Sequence, residues 1–145
     1  VNVHASGGSK MLEASYKALE GYPNPPLLIG VTVLTSVSEE SLKEVGLSRL
    51  QEQVIKLARL AKDNGLDGVV CAASDISSIK SKLGEDFITV TPGIRPVNSN
   101  LNDQSRVSTP FEAIKNGSDY LVIGRPITGS DNPKDALEKI YKEIS

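Results

Sequence analysis

The chain has 145 residues, a formal net charge of −2 at pH 7 and a single cysteine. This length predicts one domain with room for a hydrophobic core. The slightly acidic charge argues against nucleic acid as a partner, because binding to a phosphate backbone requires a basic surface. One cysteine excludes an internal disulfide framework and is typical of a reducing compartment, so we expect a cytoplasmic protein. No apolar run approaches the ~18 residues that a membrane span requires.

Segments typical of strands alternate with segments typical of helices along the chain. The predicted strands are residues 1–4, 27–34, 67–71, 87–91 and 119–124. The predicted helices are residues 9–20, a short helix from Ser38, a longer helix that ends at Asn64-Gly65, residues 74–83, a helix from Thr109-Pro110 with a capping box to Glu112, and a last helix from Asn132-Pro133. This alternation predicts an α/β fold with a parallel sheet and right-handed crossovers.

Two parallel folds satisfy this pattern, a doubly wound sheet and a TIM (β/α)8 barrel. A whole barrel requires ~250 residues. Five β/α units are therefore either a small, complete open sheet or the last five-eighths of a barrel. The chain starts directly on a strand pattern at Val1 without an initiator methionine, so we expect it to be a piece of a longer protein. In a complete protein, residues 1–4 would form an exposed hydrophobic sheet edge.

The fourth and fifth predicted strands end alike, on a glycine and an arginine. Gly93 and Arg95 follow the fourth strand, and Gly124 and Arg125 follow the fifth. Glycine lets the backbone approach a ligand closely, and the planar guanidinium group holds an oxyanion. Ligands of parallel α/β folds bind at the carboxyl ends of the strands. The two endings therefore predict a phosphate pocket that uses Arg125 and the Gly124 amide, while Arg95 either reaches the ligand or only shapes its loop.

The connection after the fourth strand is long and spans residues 92–108. A loop of this length inside a compact domain is more often functional than idle. Gln104 lies within it and could donate a hydrogen bond to phosphate without adding charge. A glutamine in a loop is, however, commonly only solvated, so the residue by itself leaves both interpretations open.

Polar residues at the first two strand ends also allow two interpretations. One hydroxyl of Thr32, Thr35 or Ser36 either hydrogen-bonds a ligand or caps the helix that begins near Ser38. His4 ends the first strand, where it could act as a catalytic base. We interpret it as a structural residue instead.

The third strand end offers no reactive group. We interpret Cys71 as a buried strand thiol and Asp75 as a helix N-cap beside Ser74. No predicted strand end carries a lysine or a pair of carboxylates, and the chain has neither a Cys/His metal spacing nor a Gly-x-Ser-x-Gly motif. The sequence thus predicts groups that bind an anion and polar ligand atoms, without the general acid that a reaction needs.

Together these segments resemble the orotidine 5′-phosphate decarboxylase family, in its bacterial form, along nearly the whole chain. The matching segments look like the fourth to eighth barrel strands of that family and their following turns: NVHASGG (2–8), VTVLTS (31–36), GLDGVVC (65–71), TPGIRP (91–96) with DQSR (103–106), and SDYLVIGRPIT (118–128). The resemblance implies a TIM (β/α)8 barrel of which residues 1–145 hold strands 4–8 and their helices as part of a single domain.

The resemblance also implies roles for the residues at the strand ends. Thr35 would contact the pyrimidine, and Gln104, Gly124 and Arg125 would hold the 5′-phosphate, with Arg95 lining the same end. The long loop would close over the ligand. The implied reaction converts orotidine 5′-phosphate to UMP and CO2 in a homodimer that uses no cofactor, no metal, no membrane and no nucleic acid.

One departure from the family is large. Its Asp-x-Lys-x-x-Asp-Ile-Pro motif, at the end of the third strand, is absent, as are the strands before it that bring a ribose-binding Asp and a Lys. We therefore expect no catalytic residue in this chain and no activity from it alone. Two alternatives remain. The first is another phosphate-binding barrel enzyme, such as a hexulose-phosphate synthase or a ribulose-phosphate epimerase. The second is a complete, non-catalytic module that binds a nucleotide phosphate.

Overall fold

The computed structural model describes residues 1–47, 49–97 and 106–145. Within these ranges the strands are β1 (Asn2–His4), β2 (Ile29–Val31), β3 (Gly68–Val70), β4 (Ile88–Thr91) and β5 (Tyr120–Leu121). The helices are α1 (Ser9–Lys17), α2 (Glu39–Glu44), α3 (Leu50–Asp63), α4 (Ile76–Leu83), α5 (Pro110–Lys115), α6 (Arg125–Thr128) and α7 (Pro133–Ile144). Two 3₁₀ turns, Ala5–Gly7 and Ala73–Asp75, follow β1 and β3.

The strands form one parallel sheet in chain order, β1-β2-β3-β4-β5. Ile29 of β2, for example, faces Asn2 of β1 on one side and Gly68 of β3 on the other. A doubly wound sheet reverses its strand order at a switch point, and no reversal occurs in the residues that the structure describes. This order is the one that strands have in the wall of a (β/α)8 barrel, and the carboxyl ends of the strands lie along one edge.

The strands are shorter than the apolar runs that predicted them. β2 occupies the centre of the predicted run 27–34, and β5 ends at Leu121, although the amide of Val122 still donates to the carbonyl oxygen of Thr91 (2.9 Å). The apolar pattern reports burial, and burial continues past the last ladder pair, as at Val33. The sequence did not predict α6, which is a single turn and too short to show a helical period.

Two helix starts follow the capping chemistry that the sequence predicts. The Thr109 hydroxyl accepts a hydrogen bond from the Glu112 amide (3.2 Å), and the Glu112 carboxylate accepts one from the Thr109 amide (3.2 Å), so the capping box is confirmed. Ser38 caps α2 by accepting from the Ser41 amide (3.3 Å). These bonds satisfy amides that a helix leaves without partners in its first turn.

Two helix-to-strand junctions repeat one motif, Asn-Gly-x-Asp, before β3 and before β5. Gly65 (φ +81°) and Gly117 (φ +96°) take the left-handed conformation that ends α3 and α5, as the sequence predicts. The aspartate two residues later then reaches sideways to the preceding strand. Asp67 accepts from the Leu28 amide (2.7 Å), and Asp119 accepts from the Thr89 amide (2.7 Å). Each junction thereby fixes where the next strand joins the sheet.

The core lies between the sheet and the helices that cover its outer face. On α3 the buried residues recur at helical spacing, which turns one stripe of the helix toward the strands. Val69 of β3 belongs to this hydrophobic core, and the helices contribute further buried side chains to it. Members of this cluster include Leu12, Val54, Leu57, Ala58, Ala61, Ile76 and Ile79.

Substitution of Asp119 tests whether its hydrogen bonds stabilise the junction before β5. Burial acts to raise the pKa of its carboxyl group, but hydrogen bonds from Lys80 (2.8 Å) and from the amide and hydroxyl of Thr89 outweigh burial and lower it. Because this pKa is lower in the folded chain than in the unfolded chain, the ionised carboxylate stabilises the fold at pH values above the unfolded-state pKa. This stabilisation is lost as the pH falls through the folded-state pKa. We expect Asp119→Asn to reduce the free energy of unfolding by about 1–2 kcal/mol at pH 7, since Asp119 is partly exposed.

Chemical denaturation at several pH values measures this effect, with exposed Asp86→Asn as the control. The difference between the unmutated chain and Asp119→Asn should be constant from pH 5 to 8. The difference should shrink when the pH falls below the ordinary aspartate pKa of about 3.9. A difference that grows on acidification would contradict the assigned hydrogen bonds.

Candidate functional site at the carboxyl ends of the strands

The residues predicted to bind a ligand lie at strand ends along one edge of the sheet. Thr35 follows β2 and is 6% exposed, and Arg95 follows β4 and is 7% exposed. Gly124 and Arg125 follow β5 and are exposed. Gln104 lies outside the described residues. The fold therefore brings two arginines to adjacent strand ends, with Thr35 two strands away from β4.

The hydroxyl groups after β2 separate into different roles. Thr32 donates from its hydroxyl to the carbonyl oxygen of Val70 on β3 (2.8 Å), so this side chain reinforces the sheet. Ser38, rather than Thr35 or Ser36, provides the side-chain cap of α2. The capping interpretation therefore fails for Thr35 and Ser36, while Thr35 stays buried at the strand end.

The long connection after β4 is closed at its base by backbone hydrogen bonds. The Arg95 amide donates to the Ser108 carbonyl oxygen (2.9 Å), and the Ser108 amide donates to the Gly93 carbonyl oxygen (3.3 Å). Gly93 has φ +76°, a conformation that favours glycine. The Arg95 guanidinium donates to the carbonyl oxygen of Ile94 (2.9 Å). Arg95 is thus built into the base of this connection at the ligand edge.

The end of β5 is open to solvent. A Cβ atom placed on Gly124 would meet no atom within 4 Å, and the φ of Gly124 is −96°, outside the left-handed region. Arg125 begins α6 directly after it. The arrangement leaves room for a ligand atom to approach the backbone beside a guanidinium group.

A buried ion pair that the sequence did not predict joins the turn after β3 to the long connection. Asp75 is 3% exposed and its carboxylate accepts from the Arg106 guanidinium (2.6 Å). Asp75 occupies the N-cap position of α4, as the sequence predicts, but its side chain makes no capping bond to the helix. Some 30 residues separate the partners, so no local spacing signals the pair. The sequence shows only an acid after a strand and an arginine in a long loop.

Cys71 and His4 complete the edge. Cys71 is fully buried, which confirms the sequence interpretation, and burial, together with the nearby Asp75 carboxylate, raises the pKa of its thiol to about 12. His4 ends β1 as predicted, but its side chain is exposed rather than packed in the structure. Within the described ranges no group of three or more His, Cys, Asp or Glu side chains could hold a metal ion. No helix in the same ranges is long and apolar enough to cross a membrane.

This set of groups can bind but offers little for acid–base chemistry. The Cys71 thiol is protonated and enclosed, and the Asp75 carboxylate is held by Arg106. The arginines can donate paired hydrogen bonds to an anion, and Thr35 can exchange a hydrogen bond with a polar ligand atom. Within the residues that the structure describes, the strand ends thus carry groups able to hydrogen-bond an anion or a polar ligand atom.

A parallel sheet in chain order with a polar carboxyl edge defines part of a (β/α)8-barrel protein. The sequence model of the Orotidine 5′-phosphate decarboxylase / HUMPS family matches residues 1–140. The chain belongs to this family. The doubly wound alternative is thereby excluded, and the five β/α units form part of a (β/α)8 barrel.

Individual relatives show how much of a family member the chain represents. It is 55% identical over 146 residues to an orotidine 5′-phosphate decarboxylase of Saccharophagus degradans, covering 100% of this chain and 61% of the relative. It is 57% identical over 147 residues to one of Aliivibrio salmonicida, covering 100% and 63%. The crystal structure of orotidine 5′-phosphate decarboxylase from Lactobacillus acidophilus matches with 39% identity and a TM-score of 0.80, covering 99% and 62%. The chain therefore spans about five-eighths of the relatives it matches.

Burial and the raised pKa predict that Cys71 is inert in the folded chain. Only the thiolate reacts with alkylating reagents, and a thiol pKa of about 12 leaves very little thiolate at pH 8. We expect alkylation of the folded chain to be on the order of 10³-fold slower than alkylation of the chain unfolded in guanidinium chloride. Mass spectrometry over a time course measures both rates. Equal rates would show that Cys71 is accessible.

Proposed function

We propose that this chain is the phosphate- and pyrimidine-binding part of an orotidine 5′-phosphate decarboxylase, and that the whole protein converts orotidine 5′-phosphate to UMP and CO2 in pyrimidine synthesis. The observation that carries the proposal is the identity of 55–57% over the whole chain to relatives of that name. In contrast, no observation on the described residues favours a hexulose-phosphate synthase, a ribulose-phosphate epimerase or a non-catalytic module.

In this proposal the ligand lies across the strand ends, with its two ends held by different strands. Thr35 after β2 contacts the pyrimidine, and Arg95, Gln104, Gly124 and Arg125 hold the 5′-phosphate. β2 and β5 are three strand spacings apart, roughly 14 Å along the sheet and less across a curved barrel wall. A nucleotide, with a base at one end and a phosphate at the other, suits that separation better than inorganic phosphate does.

The catalytic acid comes from outside this chain in the same proposal. The chain forms five β/α units of a single barrel domain, and the remaining strands supply the lysine and aspartates of the Asp-x-Lys-x-x-Asp-Ile-Pro motif. The part described here contributes binding energy from the phosphate and the base, which are remote from the reacting carboxylate. Such energy accelerates the reaction where it is realised in the transition state.

The setting of the whole protein is also part of the proposal. We infer that it is a cytoplasmic homodimer whose substrate is orotidine 5′-phosphate, and that it works without a cofactor, a membrane or nucleic acid. The single, buried cysteine and the slightly acidic charge support a reducing compartment and a small-molecule ligand.

The decisive experiment is a chimera in which this chain replaces the matching 61% of the Saccharophagus degradans relative. We expect the folded chimera to decarboxylate orotidine 5′-phosphate, and the 145-residue chain by itself to show no turnover, because the chain carries no catalytic lysine motif. Loss of substrate absorbance measures both. A chimera that folds but has no activity would refute the proposal, and ribulose 5-phosphate turnover by it would favour the alternative enzymes.

Arg125→Ala in the chimera tests the phosphate end. Loss of a charge-assisted pair should weaken UMP binding by about 2–3 kcal/mol, or roughly 30- to 150-fold. Affinity for uridine, which lacks the phosphate, should change little. Isothermal titration with both ligands gives the comparison, and exposed Arg59→Ala on α3 is the control. An unchanged UMP affinity in Arg125→Ala would remove Arg125 from the site.

Gly124→Ala tests the open space at the end of β5. Since no atom lies within 4 Å of the added methyl group, we expect the melting temperature to change little while UMP affinity falls. Thermal unfolding and titration of the same samples separate the two effects. A loss of stability with full affinity would show that Gly124 serves the fold and not the ligand.

A further inference from the structure

Arg106 joins two segments at the carboxyl edge of the sheet through three separate donors. Its amide donates to the carbonyl oxygen of Thr35 (3.3 Å), and one terminal nitrogen of its guanidinium donates to the carbonyl oxygen of Val33 (3.1 Å). The other terminal nitrogen donates to the Asp75 carboxylate (2.6 Å). One residue therefore ties the segment after β2 to the turn after β3.

The carbonyl groups that Arg106 holds lie beyond the end of the β2 ladder. The Thr32 amide still donates to Val70 on β3, but the chain then leaves the sheet, and buried carbonyl groups need other donors. Arg106 supplies them to successive residues, since its guanidinium also lies 3.4 Å from the carbonyl oxygen of Leu34. The backbone that leads to Thr35 is therefore held by the side chain of a residue 71 positions further along the sequence, and Thr35 itself is held by the amide of that residue.

Arg106 is itself held on two sides. Its side chain is 15% exposed and the Asp75 side chain is 5% exposed, so the ion pair is shielded from water. Two residues later, Ser108 is fixed to Gly93 and Arg95 after β4 by backbone hydrogen bonds. The planar guanidinium reaches a carboxylate and two carbonyl groups at once, which the single ammonium group of lysine cannot reproduce.

We propose that Arg106 is a positioning residue for the pyrimidine end of the ligand. It does not touch the ligand. It holds the backbone after β2 so that Thr35 meets the base, and Asp75 orients the guanidinium group that does so. This inference rests on the proposed function, because it assigns the base contact to Thr35.

The test compares a ligand with a base and a ligand without one in the full-length chimera. Arg106→Met removes every side-chain donor at similar length, Arg106→Lys keeps the charge, and Asp75→Asn keeps the shape of the acceptor. Arg59→Met on the exposed face of α3 is the matched control. Affinities for UMP and for ribose 5-phosphate are measured by titration well below the melting temperature of each variant.

We expect Arg106→Met to weaken UMP binding by at least roughly tenfold while ribose 5-phosphate binding stays within about twofold. Arg106→Lys should recover only part of the loss, and Asp75→Asn should lower UMP affinity in the same selective way. If Arg106→Met does not fold, Arg106→Lys and Asp75→Asn carry the same comparison. Hydrogen exchange of residues 33–37 should also accelerate in the ligand-free variants.

Two results would overturn the inference. Unchanged UMP affinity in all three variants would show that the Arg106–Asp75 pair serves the fold alone. Equal losses for UMP and ribose 5-phosphate would place the effect at the phosphate end. Failure of the unmutated chimera to bind UMP is a separate result, visible before any variant is made, and it would overturn the proposed function together with this inference.

Discussion

Parallel pairing of strands in chain order is the constraint on which the rest of this structure depends. Consecutive strands pair in parallel along the chain, so each helix must cross over the same face, and every strand end must emerge at the same edge. Residues far apart in sequence, such as Thr35 and Arg125, lie at the same edge of the sheet for this reason. The Asn-Gly-x-Asp junctions reinforce the pairing from the opposite edge of the sheet, where Asp67 and Asp119 each hold the amide of the preceding strand.

The two edges of the sheet carry different chemistry. At the amino ends of the strands, charged side chains pair with each other within the fold, as buried Lys80 does with Asp119. At the carboxyl ends, the arginines at the ends of β4 and β5 face the region where ligands of barrel proteins bind. The Arg106–Asp75 pair belongs to this second edge, but it is directed inward at the backbone. The partners of Arg106 are a carboxylate and backbone carbonyl groups, whereas Arg125 lies exposed at the end of β5.

Much of the architecture could be predicted because its signals are local. The capping box of Thr109, the left-handed glycines at 65 and 117, and the burial of Cys71 all follow from residue types within a few positions of each other. Strand lengths were overestimated, because an apolar run reports burial and not the extent of a hydrogen-bonded ladder. The partner of Asp75 was missed for a related reason: a local cap was the only partner visible nearby, while its real partner lies on another loop.

The sequence by itself determined the alternation of strands and helices, their capping and the glycine–arginine endings, since each rests on short-range backbone and side-chain preferences. The alternation by itself left open the choice between a doubly wound sheet and a barrel wall, because the two differ only in which strands pair. The family resemblance implied the barrel, and the tertiary structure showed strands paired in chain order. Tertiary structure also decided which polar side chains form hydrogen bonds or ion pairs within the fold. Thr32 and Asp75 became structural through partners distant in sequence, and no pattern within the chain could have identified those partners.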